Sequence, residues 1–168
     1  MEHKANKQQG LTIVRDFKAS REMVFDAFAN ATAFAEWWGP VGMPVSVVSF
    51  DFRQGGKVHY KMEGHGQVMW GVFNYKNIVR PDLLEFVSSF SDESGNVCKS
   101  PFPINFPLEI LNRITLEEKD GTTTLKLSGH PINATAEQEA TYFSMIENMR
   151  GGFAGTFDQL DTYLAKTI

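Results

Sequence analysis

The chain lacks three features that mark whole classes of protein. It has one cysteine, Cys98, so no internal disulfide can form, which is usual in a reducing compartment. It has no run of basic residues and a net charge of −4, which argues against nucleic-acid binding because nucleic acids need a positive partner surface. No apolar stretch approaches the length that spans a bilayer. We therefore expect a cytoplasmic protein without membrane insertion.

Signals for catalysis and metal binding are also scarce. The four histidines show no metal-ligand spacing, and Cys98 has no cysteine neighbour. Neither the Gly-x-Ser-x-Gly elbow of hydrolases nor the His-Glu-x-x-His motif of zinc proteases occurs. The sequence thus predicts no metal, no cofactor and no catalytic residue.

What is present indicates one folded unit. The polar start, MEHKANKQQG, lacks the apolar segment of a signal peptide and predicts a disordered tail over residues 1–10. Hydrophobic residues make up 42% of the chain, enough for one core over residues 11–168. A strand at its start is followed by two short helices, the second ending at Trp38 before Gly39-Pro40.

From Val45 onward, apolar residues recur with the period of two that is typical of strands. Six such stretches are separated by turn signals, among them Asp120-Gly121. Only the proline-rich segment 92–107 predicts a long loop, and loops of that length are often lids or rims, or else disordered. After a Thr135–Gln138 capping box, helical spacing continues to the end and predicts one helix of about 30 residues. The pattern predicts an α+β fold in which a curved antiparallel sheet of about seven strands wraps around the C-terminal helix.

A space between that helix and the sheet would form a pocket, and alternation along the strands predicts its lining. In the third strand Val58, Tyr60 and Met62 share a face, while Lys57, His59 and Lys61 face water or another subunit of a homodimer. The other residues predicted to face inward are Val68, Trp70, Val72, Leu84, Phe86, Ser88, Phe90, Ile110, Asn112, Ile114, Phe143, Ile146 and Phe153.

Arg150 and three glycines interrupt the apolar stripe of the last helix. Either the aliphatic stem of Arg150 packs while its guanidinium reaches solvent, or the guanidinium enters the cavity and binds an anionic or polar ligand group. Gly151, Gly152 and Gly155 lower helix stability and indicate close packing against a neighbouring element.

Two adjacent tryptophans end the second short helix. Either both Trp37 and Trp38 belong to the core, or Trp38 packs inward with Phe34 while Trp37 lines the pocket entrance.

Four stretches, in this order, resemble the helix-grip, START-like superfamily, and within it the bacterial branch named for homology to the C-terminal domain of the activator of the heat-shock chaperone ATPase. They are FDAFANATAFAEWWGPVG, DFRQGG, GVFNYKNIVRPDLLEF and MRGGFAGTFDQLDTYL. The resemblance runs from Leu11 to Leu164 and implies a curved sheet that grips the C-terminal helix around a deep, mostly apolar cavity. The chain departs from the family pattern at Val58, where an aromatic residue is often found, and at Phe153, where tryptophan is usual.

Members of the superfamily hold lipids, sterols, plant hormones or polyketides, and some catalyse cyclisation or ring hydroxylation. The favoured hypothesis is therefore binding of a small hydrophobic or amphipathic molecule. The predicted ligand-binding residues are Trp37, Trp38, Val58, Tyr60, Met62, Trp70, Phe86, Phe90, Asn112, Phe143, Ile146, Arg150 and Phe153. The alternatives are an enzyme of the polyketide-cyclase kind and a stress-response protein that contacts a chaperone, the latter by family analogy alone.

Overall fold

The computed structural model describes residues 10–167, and in them the chain forms seven strands and four helices. The strands are β1 (Leu11–Phe17), β2 (Val45–Phe50), β3 (Lys57–Gly64), β4 (Gln67–Val79), β5 (Leu83–Ser91), β6 (Glu109–Lys119) and β7 (Thr122–Ile132). The helices are α1 (Arg21–Ala29), α2 (Ala31–Trp37), α3 (Ala136–Ser144) and α4 (Ile146–Thr167). This confirms the predicted α+β fold. Nine of the ten residues of the predicted tail lie outside the described residues.

All seven strands belong to one antiparallel, curved sheet in the order β1-β7-β6-β5-β4-β3-β2. Strands β2 to β7 follow one another as a meander because short turns join most of them. The β6–β7 turn is the one that Asp120-Gly121 predicts, since both residues have positive φ, as a type I′ turn requires. Strand β1 completes the sheet beside β7.

Side chains at the helix starts satisfy free backbone N–H groups, as the sequence predicts. Ser20 accepts a hydrogen bond from the Met23 N–H at 3.1 Å, and Thr135 and Gln138 form the reciprocal capping box. Among the helices of residues 10–167, none is long and apolar enough to cross a membrane.

The prediction of one C-terminal helix of about 30 residues is wrong, because the helix breaks at Met145. The Met145 N–H bonds to the Tyr142 carbonyl three residues back, and its φ and ψ of −106° and 8° leave the helical region. The hydroxyl of Ser144 also donates to the Thr141 carbonyl at 2.7 Å, within the last turn of α3. Local hydrogen bonding thus separates α3 from α4.

Only the second half of α4 has buried side chains, which pack against β1 and the end of α2. Its buried residues begin at Thr156 and continue through Phe157, Leu160 and Leu164. The ring of Phe157 lies 6.0 Å from that of Phe17 on β1, edge to face. No residue of α4 before Thr156 is buried, although Phe153 is partly buried and packs against the core, so the first half of the helix is packed more loosely.

The glycines in the exposed first half of α4 do not make the close contacts that the sequence suggests. A methyl group on Gly151 or Gly152 would meet no atom within 4 Å outside its own stretch of helix. Only Gly155 is closely approached, since its methyl would lie 3.2 Å from Cγ2 of Val41. The helix therefore carries two glycines that packing does not require.

Replacing Gly151 or Gly152 with alanine is expected to raise the free energy of unfolding by about 0.5–1 kcal/mol, because alanine restricts the unfolded backbone more than glycine does. Chemical denaturation of each variant measures the change. Gly155→Ala is the matched control and should gain less, since its methyl meets Val41. Destabilisation by Gly151→Ala would contradict this reading.

Candidate functional site

The space between the sheet and the first half of α4 is a cavity of about 170 Å³, here called the outer chamber. Strands β3 to β6 supply its floor, and α3 and α4 supply part of its wall. The β5–β6 loop adds Phe106 and Pro107, so the loop forms part of the rim. The lining consists of Leu11, Tyr60, Met62, Trp70, Gly71, Ser88, Ser89, Phe90, Phe106, Pro107, Ile110, Asn112, Tyr142, Met149 and Phe153.

A second cavity of about 100 Å³, the inner chamber, lies deeper in the core. Four residues line both chambers, which places the two spaces side by side: Tyr60, Ser88, Asn112 and Phe153. The rest of the inner lining is apolar and consists of Trp38, Phe73, Phe86, Ile114, Leu127 and Phe157.

A polar pair interrupts this apolar wall where the chambers meet. The side-chain amide of Asn112 on β6 donates to Ser88 Oγ on β5 at 2.9 Å and to the Ile110 carbonyl at 3.2 Å. Asn112 lies opposite Phe86, and Ser88 opposite Ile110, so the sheet register brings the two side chains together on its inner face. The polar pair is largely buried, with Asn112 only 7% exposed.

Two tyrosines supply the remaining polar groups near the chambers. The Tyr142 hydroxyl, on α3, donates to the Gly129 carbonyl of β7 at 2.8 Å. Burial raises the pKa of Tyr142 to about 12. It raises the pKa of Tyr60 to about 12 as well, against a smaller opposing effect of the Trp38 side chain. Both tyrosines are therefore neutral hydroxyl groups at physiological pH.

Formal charge is missing from the lining. Of the described residues that line the two chambers, none is acidic, basic, histidine or cysteine. Elsewhere in residues 10–167, no group of three or more His, Cys, Asp and Glu side chains is placed to hold a metal ion. The site offers apolar contact and neutral hydrogen bonds.

Arg150 lies outside the chambers, contrary to the hypothesis that it enters the cavity. Its guanidinium donates to the Thr12 carbonyl on β1 at 2.6 Å, and its Nε lies 3.6 Å from a carboxylate oxygen of Glu147. The side chain is exposed, in agreement with the alternative in which its head reaches the surface. Arg150 attaches the start of α4 to the edge strand of the sheet.

The two tryptophans reverse the roles of the second hypothesis, in which Trp37 lines the pocket entrance, and only Trp37 is fully in the core, where the first hypothesis placed both. Trp37 is 0% exposed, and its indole N–H donates to the Ala27 carbonyl at 2.9 Å. Trp38 is half-buried and lines the inner chamber, with its ring 6.1 Å from that of Phe153. The reason is that α2 ends at Trp37, so Trp38 has an extended backbone and helical spacing does not apply to it.

The structure brings eight of the thirteen predicted ligand-binding residues to the chambers and leaves five elsewhere. Those at the chambers are Trp38, Tyr60, Met62, Trp70, Phe86, Phe90, Asn112 and Phe153. Those that do not line either chamber are Trp37, Val58, Phe143, Ile146 and Arg150.

The predicted inward face of β4 is wrong. Gly71 lies opposite Tyr60 and Met69 lies opposite Met62, so these residues share the inner face. The ring of Trp70 lies on the outer face, although the residue still borders the outer chamber. The Trp70 ring lies 5.5 Å from that of His59 and under the ammonium group of Lys61. Aromatic residues occur on both faces of this strand, so alternation alone does not reveal its orientation.

Alternation predicts that His59 faces water, but the residue is only 5% exposed. The β5–β6 loop covers it: the Lys57 ammonium donates to the Gly95 carbonyl at 2.7 Å, and a methyl on Gly95 would lie 3.4 Å from His59 Nδ1. The chain's own loop thus occupies part of the face for which contact with a second subunit was considered. A homodimer stays a prediction.

Sequence reasoning missed the contributions of Tyr142, Met149 and Phe106. The capping box at Thr135 indicates a helix start, and helical spacing from it places Tyr142 on the same side as Met149. No comparable signal exists for Phe106, because the path of a loop follows from tertiary contacts. Its ring lies 6.3 Å from Phe90 and 6.0 Å from Tyr142.

Comparison with known proteins agrees with this architecture. The profile of the family described as "Activator of Hsp90 ATPase homolog 1-like protein" matches residues 18–165. The chain belongs to this family. Among proteins with curated descriptions, none matches the chain.

Solved structures of this family and its fold share the architecture over most of the chain. Protein Ms6760 of Mycobacterium smegmatis is 28% identical, with a TM-score of 0.75 over 92% of this chain and 90% of its own. The AHSA1 protein of Silicibacter pomeroyi is 18% identical, with a TM-score of 0.72 over 94% and 99% of the two chains. DynU16, a protein in the dynemicin biosynthetic locus, is 17% identical, with a TM-score of 0.64 over 92% of this chain and 46% of its own. The last two likenesses show the helix-grip fold alone.

Proposed function

We propose that this member of the Activator of Hsp90 ATPase homolog 1-like family binds a small, mostly apolar molecule between the sheet and the first half of α4. The observation that supports this most is the outer chamber, an apolar space with one polar pair in its wall. Such a combination is typical of ligand sites, in which apolar contact supplies affinity and a few polar groups fix orientation.

The size of the two chambers supports a ligand of one or two rings. An engineered apolar cavity of about 150 Å³ in another protein binds benzene. The outer chamber has about 170 Å³ and adjoins the inner chamber of about 100 Å³. Aromatic side chains dominate both walls and favour flat partners through offset or edge-to-face contacts.

The lining favours binding over catalysis of the polyketide-cyclase kind. Such a reaction moves protons, and an effective general acid or base has a pKa near the working pH. The ionisable groups that line the outer chamber are Tyr60 and Tyr142, and burial raises the pKa of each to about 12. The likeness to DynU16 extends to the fold and supplies no catalytic group.

Native mass spectrometry of the protein purified from its own host tests the proposal directly. We expect an additional mass that is lost on denaturation and that corresponds to a small apolar compound. Added back to the stripped protein, that compound should raise the melting temperature in proportion to the logarithm of its concentration. An empty protein that no small apolar compound stabilises would contradict the proposal.

A residue on α4 allows the chamber to be blocked. Met149 lines the outer chamber and belongs to the loosely packed first half of α4. Met149→Trp is expected to weaken uptake of a bicyclic aromatic compound at least about tenfold, because the larger side chain occupies the space of the ligand. Asn148→Trp is the matched control, since Asn148 is the exposed neighbour on the same helix. Equal affinity of the two variants would show that the ligand binds elsewhere.

A further inference from the structure

We propose that the outer chamber selects an uncharged ligand that carries a hydroxyl group, and that Asn112 and Ser88 bind this hydroxyl. The inference rests on the proposed function and names the class of molecule that the chamber accepts. It depends on which hydrogen-bonding atoms of the polar pair are already used and which remain free.

The orientation of the Asn112 amide is determined by its neighbours. The Ile110 carbonyl only accepts hydrogen bonds, so the Asn112 atom that lies 3.2 Å from it is the amino nitrogen and not the oxygen. This nitrogen donates its second proton to Ser88 Oγ at 2.9 Å. Both protons of the Asn112 amide are therefore used.

The Asn112 Oδ1 atom is the free acceptor of the pair. No donor within residues 10–167 forms a hydrogen bond with it. Gly129 on β7 lies opposite Asn112, and a methyl added there would lie 3.2 Å from Oδ1 and 3.5 Å from the Tyr142 hydroxyl. The missing side chain of Gly129 thus leaves room beside Oδ1. The Tyr142 hydroxyl does not fill the role of donor, because it donates to the Gly129 carbonyl.

The Ser88 hydroxyl is the free donor of the pair. It accepts the hydrogen bond from Asn112, so its own proton points away from that bond, and no acceptor for it occurs in the part of the chain that the structure describes. A serine hydroxyl carries one donor and two acceptor sites. A free donor and a free acceptor on two hydrogen-bonded side chains match a ligand hydroxyl, which donates to one and accepts from the other.

The absence of charge in the lining disfavours charged ligands. A carboxylate that enters an apolar chamber loses its hydration and needs a cation or several donors in return. Arg150 is the next residue after Met149, which lines the outer chamber. Its guanidinium is held outside the chambers by the Thr12 carbonyl and Glu147. The chambers therefore favour an alcohol or phenol over an acid of the same shape.

Three compounds of one shape test the proposal on the full chain: naphthalene, 2-naphthol and 2-naphthoate, titrated at pH 7 with calorimetry or with the tryptophan fluorescence to which Trp38 contributes. We expect 2-naphthol to bind about tenfold more tightly than naphthalene and at least about tenfold more tightly than 2-naphthoate. The affinity for the naphthoate should increase as the pH falls and the acid becomes neutral. Equal affinities for 2-naphthol and naphthalene would overturn the proposal.

Substitutions identify the residues that cause the preference for 2-naphthol over naphthalene. Asn112→Leu removes the free acceptor, Ser88→Ala removes the free donor with little change in shape, and Gly129→Ala fills the space beside Oδ1. Each should reduce the preference for 2-naphthol over naphthalene, and Asn112→Leu should abolish it while naphthalene still binds. Ser46→Ala on β2, exposed and on another strand, is the control and should keep the preference.

The outcomes separate this inference from the proposed function. If all variants keep the preference for 2-naphthol, the polar pair does not bind the hydroxyl and the inference is wrong, while ligand binding in the chamber stands. If none of the three compounds binds or raises the melting temperature, the proposed function itself fails. The Ser88→Ala variant preserves the test if Asn112→Leu does not fold.

Discussion

Replacing Trp37 with alanine is expected to lower the free energy of unfolding by about 3–5 kcal/mol, the range measured when large aromatic side chains are deleted from cores. Trp37 has no exposed surface and packs edge to face on Phe28, with the ring centroids 4.8 Å apart. The variant also leaves the Ala27 carbonyl without the indole N–H that it accepts. Equilibrium denaturation with guanidinium measures the loss.

The adjacent Trp38 provides the matched comparison. Its ring is half-buried and lines the inner chamber, so Trp38→Ala removes less core contact and enlarges a space that already exists. We expect it to cost clearly less stability than Trp37→Ala and to change the affinity for bicyclic ligands. A greater loss of stability at Trp38 than at Trp37 would contradict the assignment of the two rings.

Replacing Gly71 with alanine is expected to lower the free energy of unfolding by about 1–3 kcal/mol, as overpacking of cores does. A methyl on Gly71 would lie 2.6 Å from Cζ and from the hydroxyl oxygen of Tyr60, which is too close for contact. The Tyr60 ring is held by edge-to-face contacts with Phe34 and Phe73, so it has little freedom to move aside. Tyr60 lines both chambers, so displacement of its ring would change their shape, and ligand affinity should fall too.

A double-mutant cycle isolates the cause. In a Tyr60→Leu background the same Gly71→Ala change should cost much less, because the phenol that the methyl meets is gone. Denaturation of the two single variants and the double variant gives the coupling energy between the two positions. Equal costs of Gly71→Ala in both backgrounds would show that the loss arises from the backbone and not from Tyr60.

Local patterns were enough to predict the fold. The change from a helical period to a period of two at Val45, the turn at Asp120-Gly121 and the capping box at Thr135 each act through neighbouring residues, and the structure confirms all three. The resemblance to the helix-grip superfamily agrees with them and with the family match over residues 18–165. Alternation also placed Tyr60, Phe86, Ser88 and Asn112 on the inner face of their strands.

The predictions that failed depend on where an element ends or how one strand faces another. Because α2 ends one residue earlier than predicted, Trp37 lies in the core and Trp38 lines the inner chamber, the reverse of one of the two hypotheses. The pairing of Gly71 with Tyr60, which the pattern of β4 does not reveal, turned Trp70 to the outer face. The carbonyl of Thr12, 138 residues away along the chain, holds Arg150 outside the cavity.

The sequence by itself determined the class of fold, the order of its elements and the apolar nature of a space beside the last helix, because periodicity, capping and turn chemistry act over a few residues. Only the tertiary structure decided what that space offers to a ligand. The free oxygen of Asn112, the free hydroxyl of Ser88 and the room beside Gly129 lie on three different strands. Their proximity follows from sheet register, which long-range pairing establishes and no local pattern records.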